Sequence, residues 1–169
     1  MIWATRGAIV VGLAVLAWYL IKRWWPGLKP LQANPVQHAG RLLPFLAGWA
    51  YGALGVLAVG GLIGWAFDGM LWITNWLGDI ALVLGVDGEA GISSRGTYLP
   101  LTADGAGLMV ILTVAFIAAI KATKSGPDLK LGTWCGLSLG TSSSIAGLAA
   151  VPLAQATNAS GQVLFGWIG

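Results

Sequence analysis

The few charged side chains of this sequence fall in clusters of alternating sign, separated by long apolar runs that carry almost none. Lys22, Arg23, Lys29 and Arg41 occupy one gap, Asp68, Asp79, Asp87, Glu89 and Asp104 the next, and Lys121, Lys124 and Lys130 the last. Short loops rich in Lys and Arg stay cytoplasmic and fix the orientation of the spans between them. The pattern is that of an all-α, polytopic integral membrane protein. Composition agrees, with 57% hydrophobic and 9% charged residues and a mean hydropathy of +0.79, against roughly 25% charged in ordinary soluble domains.

A chain of 169 residues makes a single membrane domain, with room for about four or five helices of about 20 residues each. The net charge of +3 comes from the loops assigned to the cytoplasm, so it belongs to topology and anionic headgroups. The bilayer is the expected partner, and no direct nucleic-acid binding is expected. Cys135 is the one cysteine, which excludes an internal disulfide and a thiolate metal cluster. Arg6 before the run Gly7 to Ile21 resembles a signal peptide, but the run ends in Lys22-Arg23-Trp24-Trp25 instead of small residues. It reads as a retained first span, with Trp18, Tyr19, Trp24 and Trp25 at headgroup depth.

The expected spans are about 7–21, 45–67, 106–120 and 131–153. Between them lie cytoplasmic loops at 22–41 and 121–130 and an outer segment at 68–105, and both termini are expected outside the cytoplasm. The first loop holds Pro26, Pro30, Pro35 and Pro44 with His38, a lone histidine that has no nearby metal-ligating partner. The turn Ser125-Gly126-Pro127-Asp128 should return the chain as a helical hairpin. The stretch 70–86 is apolar but interrupted by Asn75, Gly78 and Asp79. A carboxylate at the bilayer centre costs about 3 kcal/mol on insertion scales, so this stretch suits an interfacial or re-entrant helix. A full extra span is the alternative, and it would put the two basic loops on opposite faces. The tail from Gln155 is expected to dip into the interface and not to span.

Small residues recur at four-residue spacing along the last span, as Gly132, Gly136, Gly140 and Ser144, and along the second, as Gly48 and Gly52, then Gly60 and Gly64. In lipid there is little hydrophobic drive to join helices, so close backbone approach through small residues makes association favourable. Such faces serve either packing within one subunit or contact with a neighbouring one. Ser138, Thr141, Ser142 and Ser143 would line a pore or a packing seam, or bond inertly to carbonyls one turn back. Asp68 and Asp79 lie close to apolar segments, where carboxylates mark ion paths. Asn158-Ala159-Ser160 matches the glycosylation triplet. No catalytic residues, metal ligands or cofactors are expected.

From about Asp104 onward, two apolar runs joined by the basic turn Lys121 to Lys130 after a polar lead-in resemble the plan of conjugative pilins. The short loops and glycine-rich helices are also similar to those of phage holins. The expectation is a non-enzymatic membrane subunit that self-associates or joins a larger assembly through its glycine faces. The alternatives are a pore-forming, holin-like protein and a pilin-like, conjugation-associated component.

Overall fold

The computed structural model describes residues 5–23, 40–58, 60–89, 91, 100–140 and 145–167, with the backbone alone for 145–148. These residues form α1 (Arg6–Arg23), α2 (Leu43–Gly55), α3 (Gly61–Val86), α4 (Ala103–Ala122), α5 (Gly126–Gly140) and α6 (Ile145–Gly166). The fold is all-helical, and no strand occurs among the described residues.

Local chemistry explains where the helices begin and end. Pro44 stands in the first turn of α2, where its missing N–H would have no partner in any case. Thr102 caps α4 by accepting the Gly105 N–H at 3.2 Å on its hydroxyl. Asp104 in the first turn and Lys121 in the last then oppose the macrodipole.

The expected span 45–67 is not one helix. The chain stops at Gly55, and Gly60 and Gly61 take φ of +81° and +67°. Those values favour glycine and lie outside a right-handed helix, so Gly60-Gly61 is a turn signal and not part of a packing stripe. The chain then runs unbroken from Gly61 to Val86, which joins the end of the expected second span to the expected interfacial stretch 70–86. The expected span 131–153 is likewise divided between α5 and α6, and residues 141–144 lie outside the described residues. The tail from Gln155 is taken up in α6. Most of the loop 22–41, including Lys29 and His38, and residues 92–99 of the outer segment lie outside the described residues.

Four helices run side by side. Leu139 and Ser138 of α5 meet Gly12 of α1, and Tyr19 near the other end of α1 stacks on Phe45 of α2 at 4.1 Å. Along α2, Phe45, Trp49 and Ala53 meet Gly132, Gly136 and Gly140 in turn, so α2 and α5 are parallel. Helix α4 returns through the 123–125 turn against α5, with Gly126 closed onto the Ile120 carbonyl. One end of this bundle therefore holds the start of α1, the end of α2, the start of α4 and the end of α5.

Helices α3 and α6 cross at that end. The Phe67 ring of α3 lies on Gly55 and edge-on to Tyr51, Leu71 packs with Ala8, and Gly78 meets Gly7. Helix α6 reaches Ala53 and Leu57 through Ala150 and Ala154, and then the first turns of α4.

Among the described residues, two helices are long and apolar enough to cross a membrane, α3 with mean hydropathy 1.4 and α4 with 2.1. Both present apolar side chains outward, among them Trp65, Trp72, Ile73 and Leu84 of α3 and Val110, Val114 and Ile117 of α4.

A methyl group at Gly136 would overlap the Trp49 carbonyl, whereas one at Gly69 would meet nothing within 4 Å. Gly136→Leu should therefore lower the free energy of unfolding in mild detergent by at least the roughly 1–3 kcal/mol that overpacking costs, and with it the midpoint, while Gly69→Ala should leave both nearly unchanged. Equal midpoints for the two variants would contradict the α2–α5 contact.

Candidate functional site

The most extensive helix contact among the described residues is the seam between α2 and α5. Gly48 lies against the Leu129 carbonyl, Gly52 against Thr133 and Leu137, Gly132 against Phe45 and Trp49, and Gly136 against Trp49. At Gly140 the Cα of Ala53 would stand 3.0 Å from an added Cβ. The five glycines thus face the partner helix of their own chain, and a second copy has no room to reach them. The structure does not bring the remaining predicted positions into this seam. Gly60 is the N-cap of α3 with nothing around it, and Gly64 is buried in the first turn of α3. Thr141, Ser142, Ser143 and Ser144 lie outside the described residues.

Ser138 is fully buried and its hydroxyl donates to the Trp134 carbonyl at 2.8 Å. Thr74, Thr113, Thr133 and Thr157 donate in the same way to carbonyls four residues back, at 2.7–2.9 Å. Hydroxyls used like this satisfy themselves within one helix. Cys135 is buried, with its sulfur 3.6 Å from the Gly12 carbonyl oxygen. Among the described residues no three His, Cys, Asp or Glu side chains gather as a metal site.

Three polar links between helices were not singled out from the sequence. Asn75 Oδ1 accepts from the Thr5 N–H at 3.0 Å and from its hydroxyl at 3.3 Å, which ties α3 to the start of α1 beside the Gly7–Gly78 crossing. Asn158 Oδ1 accepts from the Thr102 N–H at 2.9 Å, while its Nδ2 donates to the Pro100 carbonyl at 3.5 Å. Asn158 thus fastens α6 to the entry of α4, where Gly105 and Gly161 allow the approach. Tyr51 bridges α2 to α4 by donating to the Thr113 hydroxyl at 3.0 Å and stacking on Phe116 at 4.1 Å. The available signal was an amide side chain in an otherwise small and apolar stretch, which in lipid calls for a partner.

Between α2 and α4 the same Tyr51 borders a lateral apolar groove of about 360 Å³, walled by residues such as Ala47, Ala50, Leu112 and Ala115. Asp79 is the exception to polar satisfaction. Its Oδ1 is buried beside Gly7 and has no hydrogen-bond partner.

Charge is segregated by the fold. Lys22 and Arg23 end α1, Arg41 precedes α2, Lys121 ends α4, Lys124 lies in the turn and Lys130 is in the first turns of α5, all at one end of the bundle. Asp68, Asp79, Asp87, Glu89 and Asp104 lie at the other end, with α3 and the entry to α4. Among the described residues, Arg6 and Asp128 are the exceptions. The Arg6 N–H donates to the Gly91 carbonyl at 2.9 Å, and Asp128 is buried in the first turn of α5. Comparison with family models, curated proteins and solved structures finds no match.

The links at the α3 and α6 crossings differ in sign when changed. Asn158→Ala should cost about 1–2 kcal/mol, because the Thr102 N–H loses its acceptor. Asp79→Asn replaces an orphaned carboxyl oxygen with an amide that has an N–H to offer, and should stabilise by about 1 kcal/mol. Reversible unfolding in detergent measures both, and a destabilised Asp79→Asn would show that this oxygen has a partner in the membrane.

Proposed function

We propose that the chain is a non-enzymatic integral membrane subunit that joins a larger membrane assembly. Helices α1, α2, α4 and α5 stand in the bilayer, with the cationic end cytoplasmic and the end bearing α3, α6 and both termini outside. The observation that carries this reading is the separation of cations and carboxylates to opposite ends of a bundle whose outer surface is apolar. The positive-inside rule then supplies the orientation.

The assembly reading is supported by length. At 13 residues, α2 reaches only about 20 Å, short of a hydrocarbon core of about 30 Å. Helices shorter than the bilayer thin it locally or associate. Since the α2–α5 glycine seam is closed within the chain, association uses the outward faces of α1 and α4. Their Leu13, Val110, Val114 and Ile117 are half exposed or more. Ser138 of α5, the described member of the polar set on that helix, bonds back to the Trp134 carbonyl.

Two measurements test the proposal. Native mass in nanodiscs should give more than one copy per disc or a co-purifying membrane protein, and a lone monomer throughout would sink the assembly reading. In a Cys135→Ala background, Lys124→Cys should react with an impermeant maleimide only from the cytoplasmic side. Reaction from outside would invert the topology.

A further inference from the structure

We infer that α3 lies in the plane of the membrane along its outer interface, with one flank in water, a tryptophan row at the headgroups and an aliphatic face in the acyl region. This inference rests on the membrane reading above. It concerns the depth and direction of one helix, which the reading leaves open because α3 is also long and apolar enough to span.

The contacts of α3 argue against a spanning direction. From its start to Gly78 it passes the first turns of α4 near Ala106 and Val110, the end of α2 at Tyr51 and Gly55, and then Thr5, Gly7 and Ala8 at the start of α1. All of these except Tyr51, which lies nearer the middle, belong to one end of the bundle. Phe67 and Asp79 are twelve residues apart, or about 18 Å along the helix, and over this length α3 meets Thr5, Gly7 and Ala8 of α1. A helix alongside α1 would meet successive turns of it. The geometry is that of a helix laid across its neighbours.

The order of chemistry around α3 gives the second argument. With about 100° per residue, Gly64, Phe67, Leu71, Thr74, Asn75 and Gly78 form the face buried against the bundle. Asp68 and Asp79 share an arc of about 20° on the flank beside Asn75. Trp65, Trp72 and Trp76 occupy the next arc of about 40°, and all three are largely exposed, at 74%, 59% and 58%. Beyond them lie Leu62, Ile73, Leu77, Ile80 and Leu84, also exposed. The flank opposite the carboxylates carries Ile63 and Met70.

Up to Asp79 polarity therefore falls around the helix, from carboxylate through indole to aliphatic, while residues 80–86 are apolar all round. Indole rings settle at headgroup depth. Trp65 and Trp76 are eleven residues apart, or about 16 Å along the axis, so both reach that depth only if the axis lies in the plane. Asp68 then lies at water depth, and Asp79, whose Oδ1 is buried beside Gly7, stands at the interface and not at the bilayer centre. The occupant of the exposed face is lipid at the water interface. A second copy would have no use for a graded order running from acid to aliphatic.

Nitroxide labels test this in nanodiscs, on a Cys135→Ala background, at exposed positions: Leu62→Cys, Ile73→Cys, Leu84→Cys and, on the polar flank, Asp68→Cys. Depth is read from collision with oxygen against a water-soluble nickel chelate. The expected result is that labels at 62, 73 and 84 share one depth within about 5 Å, although about 33 Å of helix separates the first from the last, while the label at 68 is reached by nickel. Labels at 62 and 84 near opposite surfaces, with 73 deepest, would overturn the in-plane direction and leave the membrane reading intact. Spin–spin broadening at 73 that disappears on dilution with unlabelled protein would assign the face to a second copy and overturn lipid as the occupant. Nickel access at every position, with protein that fails to float with vesicles, would remove the membrane reading itself.

Discussion

The close approach of α2 and α5 is the contact on which the remaining architecture depends. The seam is held by dispersion between backbones that only glycine allows to meet. Gly48 and Gly52 on one helix and Gly132, Gly136 and Gly140 on the other provide that approach. Because α2 and α5 run parallel, the chain cannot join them by a tight turn and has to leave the seam and return. Helices α3 and α4 are that excursion. The same device recurs outward from the seam, at Gly12 where α1 meets α5 and at Gly7 and Gly78 where α3 crosses α1. A series of glycine contacts thus links α2, α5, α1 and α3.

Charge and small residues carry different information in this fold. The alternation of cationic and acidic gaps along the chain becomes, after four antiparallel or parallel passes, a separation between two ends. Residues as distant as Lys22 and Lys130 come to one end because α1 ends where α5 begins. The glycines decide which helices touch and how closely. Neither set alone specifies the arrangement, since charge is silent about neighbours and glycine about direction.

The helical class, the hairpin at 123–125 and the helices at 6–23 and 103–122 were legible from hydropathy and charge, because these runs are bounded by cations or by a turn sequence. The division of 45–67 was not, since nothing polar marks it. The only sign was the pair Gly60-Gly61, which fits a four-residue glycine stripe as readily as a turn, and a positive φ decides between the two. The pairing of the two glycine faces with each other was likewise beyond spacing arguments, because a face used within a chain needs the same residues as one used between chains. Asn158 shows a third kind of loss. Its triplet with Ser160 suggested an outer modification site, yet its amide is engaged with Thr102 and Pro100, a partnership of long sequence separation that no local pattern contains.

Polar links between helices are distributed unevenly, and the distribution has a physical reason. At the ends, Thr5 meets Asn75, Thr102 meets Asn158, and Tyr19 donates to the Arg41 carbonyl at 3.4 Å. Through the middle the hydroxyls of Thr113, Thr133 and Ser138 bond back within their own helices, and Tyr51 to Thr113 is the bridge between helices. Near the ends the chain changes direction and leaves backbone N–H groups without helical partners, so amide and hydroxyl side chains are recruited to satisfy them. In the middle each helix satisfies its own backbone, and what remains to be specified is shape. Substitutions at the waist therefore act through volume, and those at the crossings act through hydrogen bonds. That is why a bulky residue in the α2–α5 seam and a lost amide at the α4–α6 entry are different kinds of damage to the same fold.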